Sequence, residues 1–130
     1  MEATLEIIVR STEIDVNGHV NNAKYLEYLE WGREEWFDQN NLQYEHLLEM
    51  GVQTVTVNIN INYRKECRQG EVLLIKTRPE KLGRTSFVLQ QEICKKDSGE
   101  LAADAAVTVV TIDSNTRKSR PVPEELARLF

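Results

Sequence analysis

The sequence has little of what marks linkers, repeats, membrane spans or nucleic-acid binding. It holds 6 glycines and 3 prolines in 130 residues, too few for a low-complexity linker. No internal repeat is visible, which excludes a solenoid or propeller. Its 2 cysteines, Cys67 and Cys94, stand far apart with no Cys-x-x-Cys spacing. A metal or redox motif is therefore unsupported, and free thiols in a reducing cytoplasm are expected, with a single disulfide left open. No apolar run approaches the roughly 20 residues that span a bilayer. The longest, Leu101 to Ile112, is broken by Asp104, Thr108 and Thr111 and reads as a strand. Residues Met1 to Arg10 lack the basic start and apolar core of a signal peptide. A basic excess is also missing. With 16 Lys and Arg against 21 Asp and Glu, the net charge is −5, and the pI is about 5.1. That balance argues against a general nucleic-acid binder and leaves any anionic substrate to local basic patches. What remains is 41% hydrophobic and 28% charged, the make-up of one globular domain over residues 1–130.

The order of elements follows from periodicity. Leu5 to Arg10 reads as an opening strand, and Ser11 to Asn22 as a polar segment with turn chemistry at Asp15, Asn17, Gly18 and Asn21. A long helix is expected from about Asn22 to Asn40, capped by Asn21 or Asn22. Its large apolar groups (Tyr25, Leu26, Tyr28, Leu29, Trp31, Trp36 and Phe37) exceed a narrow stripe, so it is expected to pack into a concave surface. Gly32 in mid-helix costs propensity, and close approach to a strand would explain it. Tyr44 to Met50 reads as a short helix ending at Gly51. From Thr54 to Tyr63, Val, Ile and Tyr alternate with Thr and Asn at a period of two. Further strands are expected over Glu71–Glu80, Thr85–Lys95, Leu101–Ile112 and Arg117–Val122, with hairpin turns between them. Glu124 to Phe130 closes as a short helix. Hairpin-joined strands imply an antiparallel sheet, and one long helix among them an α+β domain. A lone sheet with one helix leaves an edge and a face unpaired, which favours self-association as a homodimer or homotetramer. The Asn/Thr face of residues 54–62 would suit a wet interface or a pocket.

The chemistry concentrates between Ser11 and Tyr28, where S-T-E-I-D-V-N-G-H-V-N-N-A-K-Y-L-E-Y sets a carboxylate, a glycine, a histidine and two asparagines ahead of the helix. Unpaired N–H groups and the positive dipole end of a helix N-terminus suit a developing oxyanion. A turn at Gly18 would fold Asp15 back across that terminus.

The string D-V-N-G-H-V-N-N-A-K-Y, with Glu30 and Arg33, resembles the 4-hydroxybenzoyl-CoA thioesterase family of hot-dog proteins. Its N-x-H-V-N-N core also resembles plant acyl-ACP thioesterases. Weaker likenesses follow at Thr85–Phe87 and Arg120–Pro123. The resemblance implies a hot-dog fold, an antiparallel sheet wrapped round one long helix, that hydrolyses acyl-CoA or acyl-ACP. It implies Asp15 as nucleophile or general base and the backbone N–H of Asn22 as the group polarising the carbonyl. Many members carry a histidine where this chain has Asn22, which cannot shuttle a proton near pH 7; His19 lies three residues earlier and is a candidate for a direct role or for holding the loop. Tyr25, Asn21, Arg84, Thr85 and Ser86 are the substrate-contact candidates. Arg64, Lys65, Lys81, Arg84, Arg117, Lys118 and Arg120 either blunt sheet edges or meet coenzyme A phosphates. No metal and no separate cofactor is expected, since coenzyme A would be part of the substrate. Glu30 and Arg33 read as either a surface or a buried pair, and His46 as a surface residue without a partner. Two other readings remain: a non-catalytic acyl-thioester-binding domain, and a hydratase or dehydratase using Asp15 and His19.

Overall fold

A computed structural model describes residues 1–130, and its elements run β1 (Ala3–Ile8), α1 (Asn22–Gln39), α2 (Tyr44–Glu49), β2 (Val52–Tyr63), β3 (Val72–Leu82), β4 (Ser86–Lys95), β5 (Leu101–Asp113) and α3 (Glu124–Ala127). The five strands make one antiparallel sheet in the order β1-β3-β4-β5-β2. The α+β architecture expected from the alternation is therefore the one found. β1 and β2 are the edges, so the strand with the cleanest period of two lies open along one side.

Register sets which side chains face α1. Thr77 on β3 pairs with Gln91 on β4, Gln91 with Ala105 on β5, and Ala105 with Ile61 on β2. The first three of these are buried. The outward rows instead carry Lys76, Glu92 and Asp104 beside Asn62. A bulge between Thr56 and Asn58 adds one residue to β2 and resets its facing, so that Ile59 and Ile61 turn inward as Thr54 and Thr56 do.

α1 packs against β1, β3 and β4. It buries Tyr25, Tyr28, Leu29, Gly32, Arg33 and Trp36, a single face at helical spacing. This is narrower than the count of apolar residues suggested: Leu26 and Trp31 are exposed, and the Trp31 ring lies against Tyr28 at 5.4 Å. Gly32 is explained as expected. A Cβ there would sit 2.5 Å from Cγ2 of Ile75 on β3.

Two expectations change. Arg117–Val122 is not a sheet strand but a strap touching the sheet through one bridge, Ile112 to Ser119. Pro121 and Pro123 have no N–H to give a ladder, and Arg117 turns at φ 65°. His46 is not partnerless: its Nε2 lies 2.9 Å from Glu125 Oε2, tying α2 to α3.

Candidate active site

The polar segment ahead of α1 is a tightly laced loop. Ile14 and Val20 form a bridge, closed by the Asp15 N–H donating to His19 O at 2.9 Å and the Gly18 N–H to Asp15 O at 3.1 Å. Gly18 makes the reversal at φ +83°, a conformation that favours glycine. The loop is fixed from behind. Val20 N–H donates to Cys67 O at 2.8 Å, and Asn21 N–H to Glu13 O at 3.0 Å. Buried Glu13 in turn accepts the Tyr28 hydroxyl at 2.8 Å and the Arg10 N–H at 2.9 Å. Burial, reinforced by Glu13, pushes the Tyr28 phenol far above its usual range, so the hydroxyl stays a donor.

This lacing presents three groups at the head of α1. Asp15 is half-buried, and its Oδ1 accepts the Asn17 N–H at 2.9 Å. Asn21 is the cap, its Oδ1 accepting the Ala23 N–H at 2.8 Å. The Asn22 N–H has no partner within the chain, so the first amide of the helix is free to donate. A hollow of about 200 Å³ opens here, lined by His19, Asn22, Tyr25, Tyr63, Arg64, Lys65 and Glu66, among others. His19 faces Glu66 at 3.6 Å and sits 3.4 Å from Val20 O through Nδ1. The buried Tyr25 ring meets Tyr63 edge-on at 5.3 Å, and its phenol is held well above its usual range, chiefly by burial.

Among the sequence candidates, His19, Asn22 and Tyr25 share this hollow, while Asp15 and Asn21 lie in the loop that forms its edge and do not line it. Arg84, Thr85 and Ser86 are not in this group. They lie at the start of β4, whereas the loop is anchored beside Cys67 at the far end of the sheet. The nine steps of β4 put roughly 30 Å between those ends within one chain. Of the basic candidates, Arg64 pairs with Asp104, whose carboxyl is held below its usual range by hydrogen bonds from Arg64 and Asn62; Lys65 lies 3.9 Å from Glu100. Lys81, Arg84, Lys118 and Arg120 have no carboxylate within 4.0 Å.

Two contributors went unmarked in the sequence. Tyr63 donates its hydroxyl to Asn22 O at 3.2 Å; its place in the inward phase of β2 was the available signal. Glu13 had none, since it is buried by a tyrosine fifteen residues on. Arg33 and Glu30 resolve unequally: Glu30 is exposed, while Arg33 is 9% exposed and donates to Gln91 Oε1 at 3.1 Å.

A family model described as the thioesterase-like superfamily matches residues 9–130. The chain is 37% identical to the long-chain acyl-CoA thioesterase FadM of Escherichia coli, over 93% of this chain and 91% of that protein. It is 29% identical to the chloroplastic acyl-acyl carrier protein thioesterase ATL2 of Arabidopsis thaliana, over 97% of this chain and 66% of the relative. The crystal structure of Slr0204, a 1,4-dihydroxy-2-naphthoyl-CoA thioesterase from Synechocystis, superposes with a TM-score of 0.90 at 22% identity, covering 99% of this chain and 95% of that one; at that identity the likeness is one of fold.

Proposed function

The chain belongs to the thioesterase-like superfamily and is a thioester hydrolase of the hot-dog fold, and from that premise we propose that it cleaves acyl-coenzyme A with Asp15 as its catalytic carboxylate. The observation that carries this is the pairing of a free Asn22 N–H, at the positive end of α1, with a carboxylate held on the adjoining loop. A thioester carbonyl seated on that amide would be polarised where charge develops. Asp15 would then attack it or orient a water, and the thiolate leaves without strong acid assistance. His19, facing Glu66, would hold the loop and the hollow's wall, while Asn21 fixes the helix start. Tyr25 would wall the thioester end.

The complete site in this reading needs a second copy. β2 is a twelve-residue edge with Val55, Val57 and Tyr63 exposed, and such an edge pairs readily with another strand. Two β2 edges meeting antiparallel about a two-fold axis would set the Val52 end of one copy beside the Tyr63 end of the other. The Arg84, Thr85 and Ser86 corner of one chain, with its unpaired cations, would then approach the Asp15 end of its partner, where coenzyme A phosphates would lie. A carrier-protein thioester presents the same reacting group. The acidic balance of this chain gives neither an acidic carrier nor the anionic coenzyme A an overall attraction, so it is the unpaired cations of that corner that suit the phosphates of coenzyme A.

The test is thiol release from an acyl-CoA panel by wild type and Asp15→Asn, with binding followed by calorimetry. Asp15→Asn is expected to lose roughly 10²–10⁴-fold in kcat while still binding. Equal turnover by both proteins would overturn the role given to Asp15. Binding without any turnover by wild type would favour a non-catalytic acyl-thioester-binding domain.

A further inference from the structure

A second and larger cavity, about 640 Å³, opens between the last two turns of α1, α2 and the first half of β2. Phe37, Leu42, Leu47 and Val52 give it apolar walls. Arg33 also lines it, although the residue is only 9% exposed. One guanidinium nitrogen of Arg33 donates to Gln91. No carboxylate stands within 4.0 Å of the group, and its remaining N–H groups have no acceptor in the chain. Gln91 cannot do more for it, since its amide nitrogen is committed to Leu29 O at 2.9 Å and Thr77 Oγ1 at 2.8 Å. No side-chain nitrogen of the chain is both buried and without a partner, so these free donors open onto the cavity, where a water or a ligand oxygen can accept from them.

We propose that this cavity receives the far end of the substrate's acyl chain, and that Arg33 makes it selective for chains carrying a neutral oxygen, a keto or hydroxyl group, near that end. The proposal rests on the acyl-thioester reading and adds the kind of acyl group. Both hollows border the same two elements, α1 and β2, one at each end of the helix. Asn22 and Arg33 are eleven residues apart on α1, so a chain starting at the free amide travels about 16 Å to reach the guanidinium. Leu26 of α1 and the half-buried Ile59 and Ile61 of β2 lie between, apolar groups suited to methylenes. The oxygen is a neutral one because Glu30, Glu34, Asp38 and Glu45 outnumber the two cations of the same lining, Arg33 and Arg117, and would repel a carboxylate tail. Burial lowers the Arg33 pKa against the pull of Glu30 and Glu34, but an arginine still stays charged.

The test uses non-hydrolysable dodecyl-, ω-hydroxydodecyl- and ω-carboxydodecyl-CoA thioethers, of a length that spans this separation, titrated calorimetrically into wild type and Arg33→Met. Dodecanoyl-CoA turnover is measured in parallel. Wild type is expected to bind the hydroxyl form about 10-fold or more tighter than the alkyl form, a hydrogen bond to a charged donor, and the carboxyl form more weakly than the hydroxyl form. Arg33→Met should erase the preference. Thr56→Phe, which fills the cavity from the exposed edge strand, should erase it too and covers the case of a misfolded Arg33 variant. Turnover of dodecanoyl-CoA without such a preference, or a preference that survives both substitutions, overturns the tail site and leaves the hydrolase reading standing. Tightest binding of the carboxyl form overturns the neutral-oxygen assignment. Absence of both turnover and binding overturns the hydrolase reading, and the tail site with it.

Discussion

Replacing Gly32 by alanine adds one methyl group to the helix face nearest the sheet, and two effects of opposite sign compete there. Alanine is favoured over glycine in a helix interior by about 1 kcal/mol. Against this, the new Cβ would fall 2.5 Å from Ile75 Cγ2, 3.1 Å from Gln91 Nε2 and 3.2 Å from Thr77 Oγ1. Ile75, Gln91 and Thr77 are all fully buried, so none can swing into solvent. Overpacking of this kind costs about 1–3 kcal/mol. A shift of α1 that relieves it also stretches the Gln91 bonds to Leu29 and Thr77, each worth about 1 kcal/mol net. The clash is therefore expected to win, with Gly32→Ala less stable by about 1–3 kcal/mol in urea unfolding at an unchanged m-value. The cause can be isolated. Ile75→Ala removes Cγ2, the nearest of the three atoms, and in that background Gly32→Ala should turn neutral or stabilising, by up to about 1 kcal/mol. An alanine variant that is as stable as wild type in the native background, or that loses the same amount in both, would refute the close-approach argument.

Tyr28→Phe leaves the buried Glu13 carboxylate beneath the Asp15 loop with the Arg10 N–H alone and should destabilise by about 1–3 kcal/mol in the same assay; an unchanged midpoint would mean that the Arg10 N–H suffices to hold Glu13. Burial pushes the Cys67 thiol up, more than Tyr25 and Lys95 pull it down, and Cys67 is 0% exposed. A thiol reagent at pH 8 should therefore label half-buried Cys94 slowly and Cys67 only in denaturant; rapid labelling of both in the native state would contradict this burial. Val57→Lys puts a charge on the bulge of the exposed edge and should shift the sedimenting species towards monomer, with thiol release falling alongside. An unchanged mass would move the subunit contact away from β2.

The elements written in local period were legible from the residues alone. The long helix begins at Asn22 and ends one residue before the expected Asn40, and the Thr/Val/Asn/Ile alternation of β2 is a strand throughout. Gly32 announced a close approach because nothing local justifies a glycine in mid-helix. Features closed by distant partners were not legible. His46 finds Glu125 across 79 positions, and Glu13 is buried by a hydroxyl from the next helix. The strap at Arg117–Val122 misled because strand-like composition outweighed Pro121 and the Pro123 that follows it. Within the candidate site, the Asp15-to-Tyr25 segment could be read as one unit because a single loop and helix start carry it. Arg84, Thr85 and Ser86 could not be placed, because which end of a strand meets which loop depends on strand order and not on pattern.

That order also accounts for both cavities. α1 lies over β1, β3 and β4, and the Gly32 contact with Ile75 together with the Gln91 anchor fixes it there. A helix centred on β1 and β3, with β4 at its margin, cannot also cover β2, two strands or about 10 Å beyond β4. Beyond buried Val52, the inward residues of β2 (Thr54, Thr56, Ile59, Ile61 and Tyr63) are accordingly left exposed or half-buried. A groove then has to open between α1 and β2, deepest where α2 closes it at one end and where Tyr63 closes it at the other. In the proposed mechanism Gly32 would therefore act on the chemistry without touching it: a bulkier residue would lift α1 from β3, narrow or skew that groove, and displace the Asn22 amide at its head.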